Sequence, residues 1–314
     1  MRLLRIWPEH TSFPFMRYRR WSFPLSALIS AATILLFLTA GLNFGIDFKG
    51  GTLIEMQARS GTADIGAIRA QANSFGFGEA EVQEFGTGGN VSLRFGLQPG
   101  GEGAQGAVVA RARQAFEGAH ELRRVEAVGP RVSGELVQSG TIGVILSVLA
   151  VLIYLWFRFE KELALAAIVG TLHDIVLTIG FFVVTRHEFN MTSIAAILTI
   201  VGYSLNETVV VFDRTRELMR RYKSMPTHEL LDLSINSTMS RTVMTATSAA
   251  LSLLALVLFG GEAIRGFAEV MLFGVVVCTY SAIFVSTPVL IYLGLRQGAE
   301  ARAVEGGRLP QAAE

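Results

Sequence analysis

The sequence has 314 residues, of which 51% are hydrophobic and 17% are charged, and its mean hydropathy is +0.46. Soluble proteins average about 25% charged residues, so this composition predicts an integral membrane protein and excludes a large soluble core. The formal net charge of +1 decides little about partners, and we expect no nucleic-acid ligand. The single cysteine, Cys278, cannot form an internal disulfide.

Six apolar segments are each long enough to cross a membrane, since a spanning helix needs about 20 mostly apolar residues. They are residues 23–42, 139–157, 163–185, 191–212, 242–260 and 267–294. The first is longer than the apolar region of a signal peptide and lacks a clean A-x-A cleavage site. We therefore interpret it as a retained first helix.

Basic residues cluster at one side of these segments, which orients the predicted bundle. The two tails, 1–22 and 295–314, and the loops after the second and fourth spans carry most of them: Arg2, Arg5, Arg17, Arg19 and Arg20; Arg158 and Lys161; Arg214, Arg216, Arg220, Arg221 and Lys223; Arg296, Arg302 and Arg308. The opposite short loops hold only Arg186 and Arg265. The positive-inside rule therefore places both tails in the cytoplasm and residues 43–138 outside.

Residues 43–138, between the first and second spans, have the pattern of a small external α+β domain. Strands and helices are predicted in the order β-α-β-β-α-β, over 51–58, 62–76, 80–86, 90–96, 104–118 and 123–132. This order is the ferredoxin-like pattern. The glycine-rich stretch 97–106 is predicted to be a flexible loop. The segment has no metal-ligand cluster and no nucleophile–base pair, so we expect no cofactor, no metal and no enzymatic activity.

Two carboxylates lie inside the predicted spans. Glu207 is in the run TSIAAILTIVGYSLNETVVVF, and Asp174 is about eleven residues, or roughly 16 Å of helical rise, into the third span. A charge at such depth costs roughly 2.5–3.5 kcal/mol on insertion scales, so an ionisable group there is a functional hypothesis by default. We interpret Glu207 as a proton-transfer group. Asp174 is either an interior polar partner of that group or a structural acceptor for a Thr or Ser on another helix.

Three residues near these acids have two interpretations each. Arg241, at the start of the fifth span, is either a cation for Glu207 or an arginine that extends to the lipid surface. Asn206 either hydrogen-bonds an acid between the fourth and fifth helices or forms an ordinary helix–helix contact. His173 is expected to pack or hydrogen-bond rather than to relay protons.

The stretch 215–238, between the fourth and fifth spans, mixes charged residues with regularly placed leucines. Such a pattern is typical of an amphipathic helix at a membrane surface. We predict a cytoplasmic amphipathic helix that is interrupted near Pro226.

The string FGIDFKGGT (44–52) joins the first span to the external domain. Its adjacent glycines, Gly50 and Gly51, indicate a tight turn or a close backbone approach, and Asp47 and Lys49 would lie at the membrane surface. On physical grounds this is a structural junction.

The string also resembles the junction after the first helix of the SecF branch of the SecD/SecF family of protein translocase subunits. Five more strings resemble that family in the same order, so that the resemblance covers residues 23–294: VGPRVSGEL (128–136), TLHDIVLTIG (171–180), TIVGYSLNETVVVFDRTRE (199–217), SRTVMTATSAALSLLALVLFGG (240–261) and GFAEVMLFGVVVCTYSAIFVSTPVL (266–290).

The resemblance implies a fold and a function. The fold would be an all-α membrane bundle of six helices, half of a resistance-nodulation-division transporter, with the ferredoxin-like domain inserted after the first helix and five helices within 139–294. Members work in the bacterial inner membrane as a heterodimer with a SecD-like subunit, beside the SecYEG channel. They use the proton gradient to help an unfolded polypeptide cross the lipid bilayer.

The resemblance also assigns residues to two groups. Relatives often have Asn-Asp where this chain has Asn206-Glu207, and the family pattern has an arginine at the position of Arg241. The implied proton relay is therefore Glu207, Arg241, Asp174 and Asn206, and the implied junction motif is Asp47, Lys49, Gly50 and Gly51.

An alternative from the same superfamily is half of a proton-coupled exporter of small molecules or lipids. Such exporters normally need external domains larger than residues 43–138, and no substrate cavity is evident in the sequence. A membrane scaffold without transport is a third possibility, but a scaffold gains nothing from the buried Glu207. A SecD-like chain in the same complex would separate the first hypothesis from the others.

Overall fold

The structure is a computed structural model that describes residues 11–85, 89–100 and 102–295. It divides into two compact units. Of the described residues, the helical unit holds 11–42, 146–187 and 192–295, and the sheet unit holds 43–145 and 188–191. The tail arginines Arg2, Arg5, Arg296, Arg302 and Arg308 lie outside the described residues.

The helices of the described chain are numbered in order: α1 Arg19–Ala40, α2 Ile46–Lys49, α3 Ile65–Asn73, α4 Glu102–Phe116, α5 Pro130–Arg158, α6 Lys161–Thr185, α7 Met191–Arg221, α8 Thr227–Phe259, α9 Glu262–Ser281 and α10 Thr287–Tyr292. A 3₁₀ turn, Phe15–Tyr18, precedes α1, and a π-helical turn, Ala282–Ser286, joins α9 to α10. The strands are β1 Asn43–Phe44, β2 Gly51–Ala58, β3 Glu81–Phe85, β4 Asn90–Phe95, β5 His120–Val128 and β6 Glu188–Phe189.

Six helical stretches of the described chain are long and apolar enough to cross a membrane, which confirms the predicted number of spans. They are α1 with its preceding turn, α5, α6, α7, α8, and α9 continued into α10. The fold is therefore a membrane helical bundle. Several helices extend past their apolar segments, because polar residues outside the membrane can continue the same pattern of backbone hydrogen bonds. α5, for example, begins at Pro130 and not near residue 139.

Packing within the helical unit is uneven. α6 and the α9–α10 helix are the most enclosed spans, whereas in the apolar part of α8 almost no side chain is fully buried and about half are exposed. α6 and α9 pack on each other. Two glycines allow close approach at other contacts: a Cβ atom at Gly170 of α6 would clash with Ser286 of the π-helical turn, and one at Gly274 of α9 would clash with Ile200 of α7. Small residues at such contacts are how membrane helices bring their backbones together.

The segment 215–238 differs from its prediction as a separate amphipathic helix. α7 runs on to Arg221 and α8 starts directly after Pro226, so the segment consists of the ends of two spanning helices, interrupted where Pro226 was expected to interrupt it. Leu218, Leu230 and Leu231 are buried, whereas Leu233 is exposed. Leu231 belongs to one hydrophobic cluster with Phe15 and Met16 of the segment before α1, so it packs against another part of the chain.

The sheet unit contains a four-stranded antiparallel sheet with the strand order β3-β4-β2-β5. Along the chain its elements follow as β2-α3-β3-β4-α4-β5. Side chains from the sheet and from α3 and α4 form one core: Ile54, Met56, Val82, Val91, Leu93 and Phe95 with Ile68, Ala72, Val108, Ala112 and Phe116. Asp64 is the N-cap of α3, and its side chain accepts a hydrogen bond from the Ala67 N–H at 3.0 Å.

Two details of the sheet unit concern its loops. The antiparallel pairing of β3 with β4 agrees with the predicted hairpin, although residues 86–88 of its turn lie outside the described residues. α4 begins at Glu102, so the second half of the predicted flexible loop 97–106 is helical. Glycine weakens a helix by only about 0.5–1 kcal/mol per residue, which the core contacts of α4 offset.

Candidate functional site

Glu207 is buried in the helical unit, with 2% of its surface exposed. It lies near the middle of the 31-residue α7. The Thr245 hydroxyl of α8 donates a hydrogen bond to Glu207 Oε1 at 3.0 Å, and it also approaches the backbone carbonyls of Arg241 at 3.1 Å and Thr242 at 3.0 Å. A hydroxyl can donate to a carboxylate or accept from a carboxylic acid, so Thr245 can hold Glu207 in either protonation state.

Asp174 is the second buried acid, with 1% of its surface exposed. The Ser204 hydroxyl of α7 donates to Asp174 Oδ2 at 2.5 Å, and His173 Nδ1 lies 3.3 Å from Asp174 Oδ1. The sequence left open that Asp174 accepts a structural hydrogen bond from a Thr or Ser on another helix, and the bond from Ser204 is of this kind.

Through Ser204, Asp174 of α6 contacts the face of α7 that carries Glu207. Residues three apart on a helix are neighbours on its surface, so Ser204 and Glu207 face the same side. The three helices α6, α7 and α8 therefore contribute Asp174, Ser204 with Glu207, and Thr245 in that order. The arrangement provides two buried carboxyls, each hydrogen-bonded to a hydroxyl that can hold or pass a proton.

Two residues at this site were not predicted. The Cys278 thiol of α9 is buried, interacts with both Asp174 and Ser204, and approaches the Ile200 carbonyl with a sulfur–oxygen distance of 3.7 Å. The Tyr203 hydroxyl is enclosed near Glu207 without a well-formed hydrogen bond in the described part of the chain. A lone cysteine or tyrosine in an apolar span gives no sequence signal, because both residue types also occur there as packing residues.

Two members of the predicted relay are not brought to Glu207 within this chain. Arg241 is exposed, and among the described residues it forms no ion pair with Glu207. Asn206 is also exposed, because its position on α7 is rotated by about 100° from that of Glu207.

His173 lies beside Asp174 but faces other elements. Its ring centroid is 6.5 Å from that of Tyr280 on α9, whose hydroxyl is 2.8 Å from the Ser26 hydroxyl of α1. His173 Nε2 is buried without a hydrogen-bond partner in residues 11–85, 89–100 and 102–295. The packing interpretation of His173 stays a prediction. No group of three or more potential metal ligands occurs within those same ranges.

The junction motif lies in the sheet unit. Asp47 Oδ2 accepts a hydrogen bond from the backbone N–H of Met191, the first residue of α7, at 2.9 Å. Gly50 and Gly51 have φ angles of +71° and +125°, and a Cβ atom at Gly51 would clash with the carbonyl oxygen of Phe95. The pair therefore combines a glycine-only conformation with a close backbone approach, while Lys49 is exposed.

Comparisons with known proteins give the following similarities. Residues 108–296 match the C-terminal family model of the protein export membrane proteins SecD and SecF, and residues 35–61 match the SecD/SecF GG motif. The protein translocase subunit SecF of Rhodobacter capsulatus is 38% identical over 312 residues, which cover 95% of this chain and 93% of that protein. The protein translocase subunit SecDF of Brucella abortus is 43% identical over 295 residues, which cover 94% of this chain and 39% of that protein.

A solved structure agrees with these sequences. The crystal structure of SecDF from Thermus thermophilus, described as a translocon-associated membrane protein, aligns with a TM-score of 0.79 at 30% identity. The alignment covers 92% of this chain and 39% of that one. The chain thus spans about two fifths of the SecDF proteins that it resembles and more than nine tenths of the SecF protein of Rhodobacter capsulatus.

Proposed function

The chain belongs to the SecD/SecF family of protein export membrane proteins, and we propose that it is an auxiliary subunit of the Sec translocase that uses the proton motive force. In this proposal it works in the bacterial inner membrane with a SecD-like subunit, beside the SecYEG channel, and assists the export of unfolded polypeptides. The observation that carries the proton role is the pair of buried acids, Glu207 of α7 and Asp174 of α6, which is hydrogen-bonded to Ser204 of α7.

The chemistry of this pair suits proton exchange. A buried carboxyl favours its neutral form unless a cation or hydrogen-bond donors stabilise the charge. Thr245 and Ser204 supply one donor each, and a conformation that brings Arg241 towards Glu207 would add a cation. Glu207 would then release its proton in that conformation and take one up in the other. Asn206 and Asp174 complete the proposed relay.

The exposed parts of the site favour a SecD-like partner. Asn206 and Arg241 are exposed in the described part of the chain, and about half of the side chains in the apolar part of α8 are exposed as well. Polar groups that face lipid lose hydrogen bonds, so these residues need a protein surface opposite them. A second half of similar design that packs against α7, α8 and α9 would provide it.

Cysteine cross-linking tests this interface. In a background with Cys278 replaced by alanine, cysteines at Leu251 on α8 and Val276 on α9, both exposed, are expected to cross-link to a SecD-like subunit. A cysteine at Leu28, exposed on α1, is the control and is expected to cross-link far less. Efficient cross-linking only to a second copy of this chain would favour a homo-oligomeric exporter and contradict the proposed partner.

We also propose that the sheet unit is a ferredoxin-like domain on the periplasmic side. Its β-α-β-β-α-β chain order and its strand order β3-β4-β2-β5 support the fold, and the distribution of basic residues in the sequence supports the side. Both tails would then be cytoplasmic.

Labelling with an impermeant thiol reagent tests the proposed side. In intact spheroplasts, a cysteine at the exposed Glu79 of the sheet unit is expected to react at once. A cysteine at the exposed Glu217, near the end of α7, is expected to react only after lysis. The reverse pattern would invert the proposed topology.

A further inference from the structure

We propose that Asp47 and Glu188 are positioning residues that fasten the start of α7 to the four-stranded sheet and thereby couple the sheet unit to the buried acids. The inference rests on the proposed function for its purpose, but the contacts that carry it lie entirely within the sheet unit. That unit includes Glu188–Met191, the short connection between α6 and α7. The connection lies far in sequence from the other residues of the unit, so only tertiary contacts hold it there.

The first contact is the cap on α7. The Asp47 carboxylate accepts the Met191 N–H at 2.9 Å, across 144 positions of sequence. The first four N–H groups of a helix have no partner within it, and a negative charge there also interacts favourably with the helix dipole. Helices are usually capped by the residue just before them, so a cap from a distant element ties α7 to that element.

The second contact is a short parallel ladder. β1 pairs with β6, with Asn43 opposite Glu188 and Phe44 opposite Phe189, and the Gly45 N–H donates to the Phe189 carbonyl at 2.9 Å. A Cβ atom at Gly45 would clash with the Glu188 side chain. The connection therefore lies directly against the junction motif, with no space between them.

Aromatic packing reinforces the ladder. The ring centroids of Phe44, Phe48 and Phe189 are 5.7–5.9 Å apart in pairs, which is within the range for favourable aromatic contacts. The three rings hold α2, β1 and β6 together.

The third contact reaches the sheet itself. Arg94 of β4 forms an ion pair with Glu188, and their side chains are 21% and 22% exposed. Ion pairs on fully exposed surfaces contribute little, but partial burial reduces screening by water. β4 is an inner strand, paired with β2 and β3, so Arg94 is anchored in the rigid part of the unit.

α7 connects these contacts at its first turn to the buried acids. The helix is continuous from Met191 through Ser204 to Glu207, a distance of about 24 Å at 1.5 Å per residue. A continuous helix transmits a shift or rotation of its first turn along its length. A movement of the sheet unit would therefore change the contacts of Ser204 with Asp174 and of Glu207 with Thr245, and coupling of this kind acts equally in the reverse direction.

Cys278 provides a readout that is independent of proton flow. It is the single cysteine of the chain, it is buried, and it lies against Ile200, Ser204 and Asp174. Its rate of alkylation by N-ethylmaleimide, in membranes that contain the full chain with its natural partners, reports how α7 packs at the acids.

Glu188→Gln and Arg94→Gln are each expected to change this alkylation rate by at least about fivefold, the lower end of typical coupling between sites. The double variant should match the single ones, because both remove the same ion pair. The charge-swapped pair Arg94→Glu with Glu188→Arg should restore the original rate. Asp47→Ala should also change the rate, and Asp47→Asn, which keeps an acceptor oxygen, should change it less.

The matched control is Arg113→Gln, which removes an exposed ion pair with Glu117 on α4 and should leave Cys278 unaffected. Protease resistance of the sheet unit shows whether each variant is folded, and the charge-swapped pair keeps the test valid if a single variant unfolds. Original alkylation rates in folded Glu188→Gln and Arg94→Gln variants would overturn the inference. So would a folded charge swap that fails to restore the rate. The experiment measures neither a proton gradient nor protein export, so its outcome does not depend on the proton role of Glu207.

Discussion

Replacement of Glu207 by glutamine is expected to abolish the stimulation of protein export by the proton gradient and to leave the protein assembled in the membrane. Glutamine has nearly the shape of glutamate, and its side-chain oxygen still accepts the Thr245 hydrogen bond. It cannot bind or release a proton, so the step that requires protonation stops. Export into inverted membrane vesicles, measured with and without an imposed gradient, gives the comparison.

Two variants sharpen that experiment. Glu217→Gln makes the same substitution on the same helix, at an exposed side chain, and should leave stimulation intact. Glu207→Asp keeps the acid with a side chain one methylene shorter and should retain substantial activity. Full gradient-dependent stimulation in Glu207→Gln, with the protein present at normal levels, would refute the proton role.

The membrane fold was predictable because hydrophobicity is a direct signal. A helix in lipid must satisfy its backbone hydrogen bonds internally and present apolar side chains. Each span therefore appears in the sequence as one continuous run of mostly apolar residues. The same reasoning identified Glu207 and Asp174, since an acid inside an apolar run stands out without any knowledge of its neighbours.

The partners of these acids were not predictable in the same way. Sequence places Arg241 at the start of the predicted fifth span, which lies within α8. The rotation of α8 decides whether Arg241 faces Glu207, and rotation depends on packing. Ser204 was one of several hydroxyls that could have met an acid, and its bond to Asp174 follows from how α6 and α7 pack. The pattern of 215–238 likewise did not indicate that Leu231 packs in one cluster with Phe15 and Met16.

The junction shows the limit most clearly. The pattern of FGIDFKGGT indicated a turn and a close backbone approach, and both are present at Gly50 and Gly51. Nothing in the string indicated that Asp47 caps a helix 144 positions later. Local conformation is encoded by local residues, whereas a tertiary cap is encoded by two segments that carry no shared signal.

The same junction gives the largest expected effect on stability. Gly51→Ala is expected to destabilise the sheet unit severely and to lower the amount of the protein in the membrane. A φ of +125° is a region that only glycine adopts readily, and holding another residue in such a region costs about 1–3 kcal/mol. In addition, the new Cβ atom would clash with the Phe95 carbonyl oxygen on β4, a backbone atom that cannot move without disturbing the pairing of β2 with β4.

Gly106→Ala is the matched control, because the same substitution should act in the opposite direction there. Gly106 lies within α4, its φ is not positive, and a Cβ atom would meet nothing within 4 Å. Alanine stabilises a helix interior by about 0.5–1 kcal/mol relative to glycine. Limited proteolysis of the full chain in membranes over a temperature series should therefore show earlier cleavage within 43–138 for Gly51→Ala and equal or later cleavage for Gly106→Ala. Equal resistance of Gly51→Ala and the original protein would show that β2 and β4 can separate at this point without loss, and the close approach of Gly51 to Phe95 would then not be what holds the start of the sheet in place.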